Sequence, residues 1–126
     1  MQTALEWCLT GRVFGADEAL QRGLVRSLHA PDELMPAAHA LAREIADNTA
    51  PVSVALTRQM MWRLSAAPHP MFAHRVDSRS IQSRGKSADV REGVGAFLEK
   101  RPAVFTDRVS SDLPPFFPWW DEPTFE

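Results

Sequence analysis

At 126 residues, with 44% apolar and 24% charged side chains, the chain has the size and balance of one globular domain. A net charge of -2 without a long basic run argues against nucleic acid as a partner, and no apolar stretch approaches the roughly 20 residues that span a bilayer. The single cysteine, Cys8, cannot form an internal disulfide, which points to a reducing compartment.

Taken in order, Thr3–Leu9 reads as a short helix ended by Thr10-Gly11. Cys8 lies in its apolar run and is expected to be a small buried side chain. Gly15 can cap a helix over 16–22, with Asp17 and Glu18 in the first turn and Gly23 as a left-handed stop. Leu24–Leu28 alternates apolar and polar, the pattern of an extended segment or very short strand. Pro31 is placed to open the next helix, whose apolar positions Leu34, Ala38, Leu41 and Ile45 carry it to about Asp47. Pro51 opens another, with Val52, Ala55, Leu56, Met60 and Leu64 on a broad apolar face. Pro68 and Pro70 interrupt it, and a less clearly patterned helix follows over 71–82.

The stretch from Ser87 to Pro102 is the best-defined element. Ser87 is a natural N-cap, Asp89 and Glu92 place negative charge at the positive end of the dipole, and Pro102 prevents continuation. Val90, Val94 and Phe97 form one apolar stripe, and Lys100 lies three residues after Phe97. An aromatic face beside an ammonium suits a flat anionic ligand such as an adenine nucleotide. Spacing alone favours the plainer alternative, a core Phe97 beside a solvated Lys100. After Pro102 helical periodicity is lost. Five aromatic residues crowd the last eleven positions, and a Pro-rich run of this kind forms no regular element.

Chemistry-bearing constellations are sparse. The four histidines form no metal-ligand pair at helical spacing, Cys8 has no activating base nearby, and there is no nucleophile elbow or phosphate loop. Glu18, Asp89 and Glu92 already have capping or dipole roles, and no carboxylate sits in an evidently apolar setting. No catalytic residue and no metal site is therefore expected within the chain.

Two segments nevertheless carry a family likeness. One is Ala4-Leu5-Glu6-Trp7-Cys8-Leu9-Thr10-Gly11-Arg12, followed by Ala16-Asp17-Glu18-Ala19 and Gly23-Leu24-Val25. The other is Ser87, Asp89, Glu92-Gly93 and Ala96-Phe97-Leu98-Glu99-Lys100-Arg101-Pro102, with Phe105 beyond. In order and separation they resemble the C-terminal part of the enoyl-CoA hydratase/isomerase (crotonase) family, from Thr3 to Phe105. The resemblance implies a mainly α fold, the C-terminal helical region of a crotonase-like protein, with the catalytic ββα spiral absent. Residues 1–105 would be this helical, oligomerising region and residues 106–126 a Pro- and aromatic-rich tail, able to wrap over another subunit.

The full-length reaction implied is hydration or isomerisation of an enoyl-CoA thioester through an enolate. Acyl-CoA is then the substrate, no separate cofactor is expected, and the fragment is expected to be inactive alone. The resemblance also implies that Phe97 and Lys100 approach the adenine end of CoA held by a neighbouring subunit, in a cytoplasmic trimer or hexamer. The alternative is a stand-alone helical module that partners crotonase-like subunits. The helix-first start and the aromatic ending both suggest a piece of something larger.

Overall fold

The computed structural model describes residues 2–124. Six helices follow in order: α1 (Gln2–Thr10), α2 (Ala16–Gln21), α3 (Leu34–Asn48), α4 (Pro51–Leu64), α5 (Pro70–Arg84) and α6 (Ala88–Glu99). No strand occurs among the described residues, so the chain is mainly α. It divides into two compact units, residues 1–43 and 44–126.

In the first unit, α1 ends at Gly11, whose φ of 62° lets its amide reach back to the Trp7 carbonyl. Gly23 stops α2 as the sequence predicts. At φ 74° its amide bonds the Leu20 carbonyl, and the Leu24 amide bonds that of Ala19. One expectation is narrowed and one overturned. Of the two alternatives for Leu24–Leu28 the strand is excluded: 24–26 are bends and 27–28 have no regular structure, since no second strand exists among the described residues to pair with. Cys8 is exposed, because α1 buries none of its residues.

The helix assigned to Pro31 starts three residues later, at Leu34, after a turn over 31–33. Pro36 explains the shift. A helix begun at Pro31 would place Pro36 in its interior, without an N–H to donate and with its ring against the preceding carbonyl turn. Begun at Leu34, the helix holds Pro36 in its first turn, where no intrahelical donor is required.

In the second unit α4 and α5 pack as a hairpin. They run antiparallel: Met60, Leu64 and Ala73 share one hollow, and Ser53, Leu56, Ser80 and Arg84 share another. Both helices carry proline in the first turn, where it is pre-organised. His69 caps α5, its Nδ1 accepting from the Met71 amide at 3.1 Å. The core of this unit is small. Val52 and Leu56 are 0% and 1% exposed, joined by Ala96, Ser80 and Asp89. Large apolar side chains elsewhere stand in solvent, among them Met61, Trp62, Val94, Phe97 and Leu98. No helix among the described residues is long and apolar enough to cross a membrane.

Candidate functional site

Two polar clusters account for the two sequence segments singled out above. In the first unit, Arg12 forks between Glu6, at 3.0 Å, and Glu18, which it contacts through both terminal nitrogens. Trp7 donates its indole N–H to Glu18 at 3.1 Å and stacks on Phe14, with centroids 4.1 Å apart. Arg12 lies over the same Phe14 ring. Glu18 is held down to about 2, first by Arg12 and then by Trp7. Glu18 is therefore the clamp that ties the end of α1 to α2, rather than simply a charge near a helix dipole.

In the second unit the site is built on α6. Ser87 caps it as predicted, its Oγ accepting from the Val90 amide at 3.1 Å. Asp89 and Glu92, one turn apart on this helix, grip the chain that leaves it. Glu92 receives Arg101 in a fork at 2.6 and 3.0 Å, and the Val104 amide at 2.7 Å. Those bonds, Arg101 first and then Val104, hold its carboxyl down to about 2. Asp89 Oδ1 accepts the amides of Thr106 and Asp107 at 2.9 and 3.1 Å. Its Oδ2 faces the Arg84 guanidinium at 3.9 Å, and Arg84 in turn pairs with Asp107.

Asp89 is 3% exposed. The dipole role assigned to it from sequence is thus incomplete, because its carboxylate is a buried anchor for backbone that comes later in the chain. Nothing local announces Asp107 as its neighbour, since it joins Asp89 only through the return of the chain after Pro102. Phe105 lies against Gly93, where an added Cβ would come to 3.5 Å from the ring, an ordinary contact.

The helix ends at a residue that normally would not be chosen. Lys100 takes φ 55° and ψ 40°, the left-handed region, with its amide on the Phe97 carbonyl and the Arg101 amide on that of Ala96. This is the two-bond stop that usually carries glycine. A side chain in this conformation costs about 1–2 kcal/mol. Beside it Phe97 is 82% exposed. The core reading of Phe97 is overturned: the stripe Val90, Val94, Phe97 points outward, and the helix buries Asp89 and Ala96 instead. The end of α6 thus presents an exposed phenyl ring next to a lysine in a left-handed backbone conformation.

Comparison with known proteins gives a consistent set. The sequence model of the enoyl-CoA hydratase/isomerase family matches residues 1–108. The enoyl-CoA hydratase AKT3-2 of Alternaria alternata is 37% identical over 107 residues, 84% of this chain and 36% of that protein. The carnitinyl-CoA dehydratase of Escherichia coli is 34% identical over 106 residues, 82% of this chain and 40% of that protein. Among solved structures, an enoyl-CoA hydratase subunit of Geobacillus kaustophilus superposes with a TM-score of 0.70 at 31% identity, covering 84% of this chain and 40% of that one. The chain thus spans well under half the length of the relatives it matches.

Proposed function

The chain belongs to the enoyl-CoA hydratase/isomerase family, and on that premise we propose that it is the C-terminal helical region of a protein that hydrates or isomerises enoyl-CoA thioesters. In this reading residues 1–105 are the family's helical region and residues 106–126 are an added tail. The reaction would proceed through an enolate of the thioester, with its catalytic groups on a part of the fold that these helices do not supply. The chain alone would then be inactive. It would act by associating with further copies, as a trimer or hexamer, in the cytoplasm.

The observation that carries the ligand assignment is the pairing of exposed Phe97 with left-handed Lys100 at the end of α6. Phe97 offers a bare ring face for a purine, and Lys100 a cation for the neighbouring phosphates. Both would serve CoA bound in the adjacent subunit.

The test is direct. Purified 126-residue chain, supplied with crotonyl-CoA, should show no hydration above background in the loss of enoyl absorbance. Enzyme-like turnover would overturn the reading. The longer protein with Phe97→Ala should show a raised KM for the acyl-CoA and little change in kcat, since the adenine end is remote from the reacting carbons.

A further inference from the structure

The family match ends at residue 108, but the chain does not leave the fold there. A turn closes first: Asp112 accepts the Arg108 amide at 2.7 Å and the Ser111 hydroxyl at 2.8 Å. From this turn the segment 112–122 runs back along the α4–α5 hairpin and meets three of its arginines in succession. Arg84, at the end of α5, donates to the Asp112 carbonyl and pairs with Asp107. Arg79, one and a half turns earlier, lies over the Phe116 ring at 4.5 Å. Arg63, at the end of α4, lies over Trp120 at 3.7 Å and pairs with Glu122 at 2.8 Å. Trp120 itself donates to Glu122, at 2.5 Å, so ring and carboxylate present one surface to Arg63. Between these rungs Pro114 is buried, and Phe117, Trp119 and Trp120 pack edge to face with centroids 5.0–5.7 Å apart.

The rungs differ in exposure. The side chains of Arg84 and Asp107 are 15% and 13% exposed, whereas Arg63 and Glu122 are 34% and 69% exposed. A buried pair whose partners are also tied elsewhere does not exchange freely with water. An exposed pair is weak and is screened by salt. The geometry points to a strap with one fixed end and one releasable end. The Arg84 end is an anchor, and the Arg63–Trp120–Glu122 group is a clasp. When the clasp opens, Phe117, Trp119 and Trp120 and the hairpin surface beneath them become accessible together. Closed, it keeps the aromatic segment half-buried.

Hydrogen exchange on the full chain tests this, read for the amides of 104–112 and, within 113–124, for the Phe117 amide, which donates to the Pro114 carbonyl at 2.9 Å. Arg63→Glu places like charges at the clasp and should speed exchange of 113–124 by about three- to tenfold while 104–112 stays protected. The charge swap Arg63→Glu with Glu122→Arg should restore only part of the protection, because it returns the ion pair but neither the cation over Trp120 nor an acceptor for the Trp120 indole N–H. Glu122→Gln, at an exposed site that poses no folding risk, should give a smaller acceleration in the same direction. Raising the salt from 0.05 to 1 M should act on the wild type as Glu122→Gln does. Equal exchange of both regions in every variant would mean a passively packed tail and would overturn the strap, as would an Arg63→Glu variant that exchanges like wild type.

Discussion

At the residue scale, Lys100 is where the backbone carries strain. Its left-handed backbone is tolerated because the Phe97 and Ala96 carbonyls are satisfied there. Lys100→Gly should raise the unfolding free energy by about 1 kcal/mol, read from urea denaturation, because glycine takes this conformation without strain. On the proposed assignment, the same change in a protein that carries the rest of the family's fold should weaken acyl-CoA binding, since the ammonium is lost. A destabilised glycine variant would mean that the lysine side chain holds the helix end. Gly93 makes the opposite case. It sits in a helix interior with room for a Cβ at ordinary contact from Phe105. Gly93→Ala should therefore be stabilising by about 0.5–1 kcal/mol in the same assay.

The two clamped glutamates give the fold an acid limit. Both Glu18 and Glu92 are held down to about 2, against an ordinary value of 4.5. A carboxyl with a depressed folded pKa stabilises the native state above its ordinary value, and this contribution is lost as pH falls through the depressed one. Stability should decline between about pH 4.5 and 2 from these two groups. Glu92→Gln should lower the urea midpoint at pH 7 and flatten the decline in that window. An unchanged pH profile would show that the Arg101 fork is not formed in solution.

At the element scale, α6 matters more for what it holds than for what it covers. Asp89 and Glu92 fix the backbone from Arg101 to Asp107 against the helix. Asp89→Ala would leave two amides without an acceptor and Arg84 short of a nearby carboxylate. The expected cost is about 2–4 kcal/mol, with the 104–108 amides losing exchange protection first. The hairpin is held by packing instead. Leu56→Ala should cost about 2–5 kcal/mol, because Leu56 is 1% exposed in a core with few other fully buried side chains. If Asp89→Ala proved as mild as an exposed substitution, the buried network would have to be satisfied by water.

The sequence showed α6 and its Ser87 cap, because a cap and a dipole pattern are local signals, but it laid the stop on Pro102, where the left-handed Lys100 makes it two residues earlier. It also showed α4, opened by Pro51, and the Gly23 stop. It did not show which face of α6 is buried. An apolar stripe predicts a core-facing side only when the core is present in the same chain, and here Val90, Val94 and Phe97 have no such core among the described residues. The start of α3 was legible in principle, since Pro36 forbids a helix begun at Pro31.

At the scale of the whole molecule, each compact unit leaves apolar side chains in solvent. Leu5, Leu9 and Val13 do so in the first, and Met61, Trp62, Phe97 and Leu98 in the second. Surfaces of this kind drive association when nothing covers them. The isolated chain should therefore self-associate with a concentration-dependent mass in analytical ultracentrifugation. A single monomeric species across the micromolar range would contradict this, and would require the exposed faces to be covered within the chain.

By itself the sequence determined the helical composition, the positions of several helix ends and the family to which the chain belongs, because caps, prolines, glycines and motif order are written locally. Tertiary structure decided the roles. It turned Asp89 from a dipole charge into a buried anchor, turned Phe97 outward, and laid the aromatic tail along the chain's own arginines rather than leaving it loose. Each of these depends on residues far apart in sequence, brought together by the return of the backbone after Pro102, and no local pattern encodes that return.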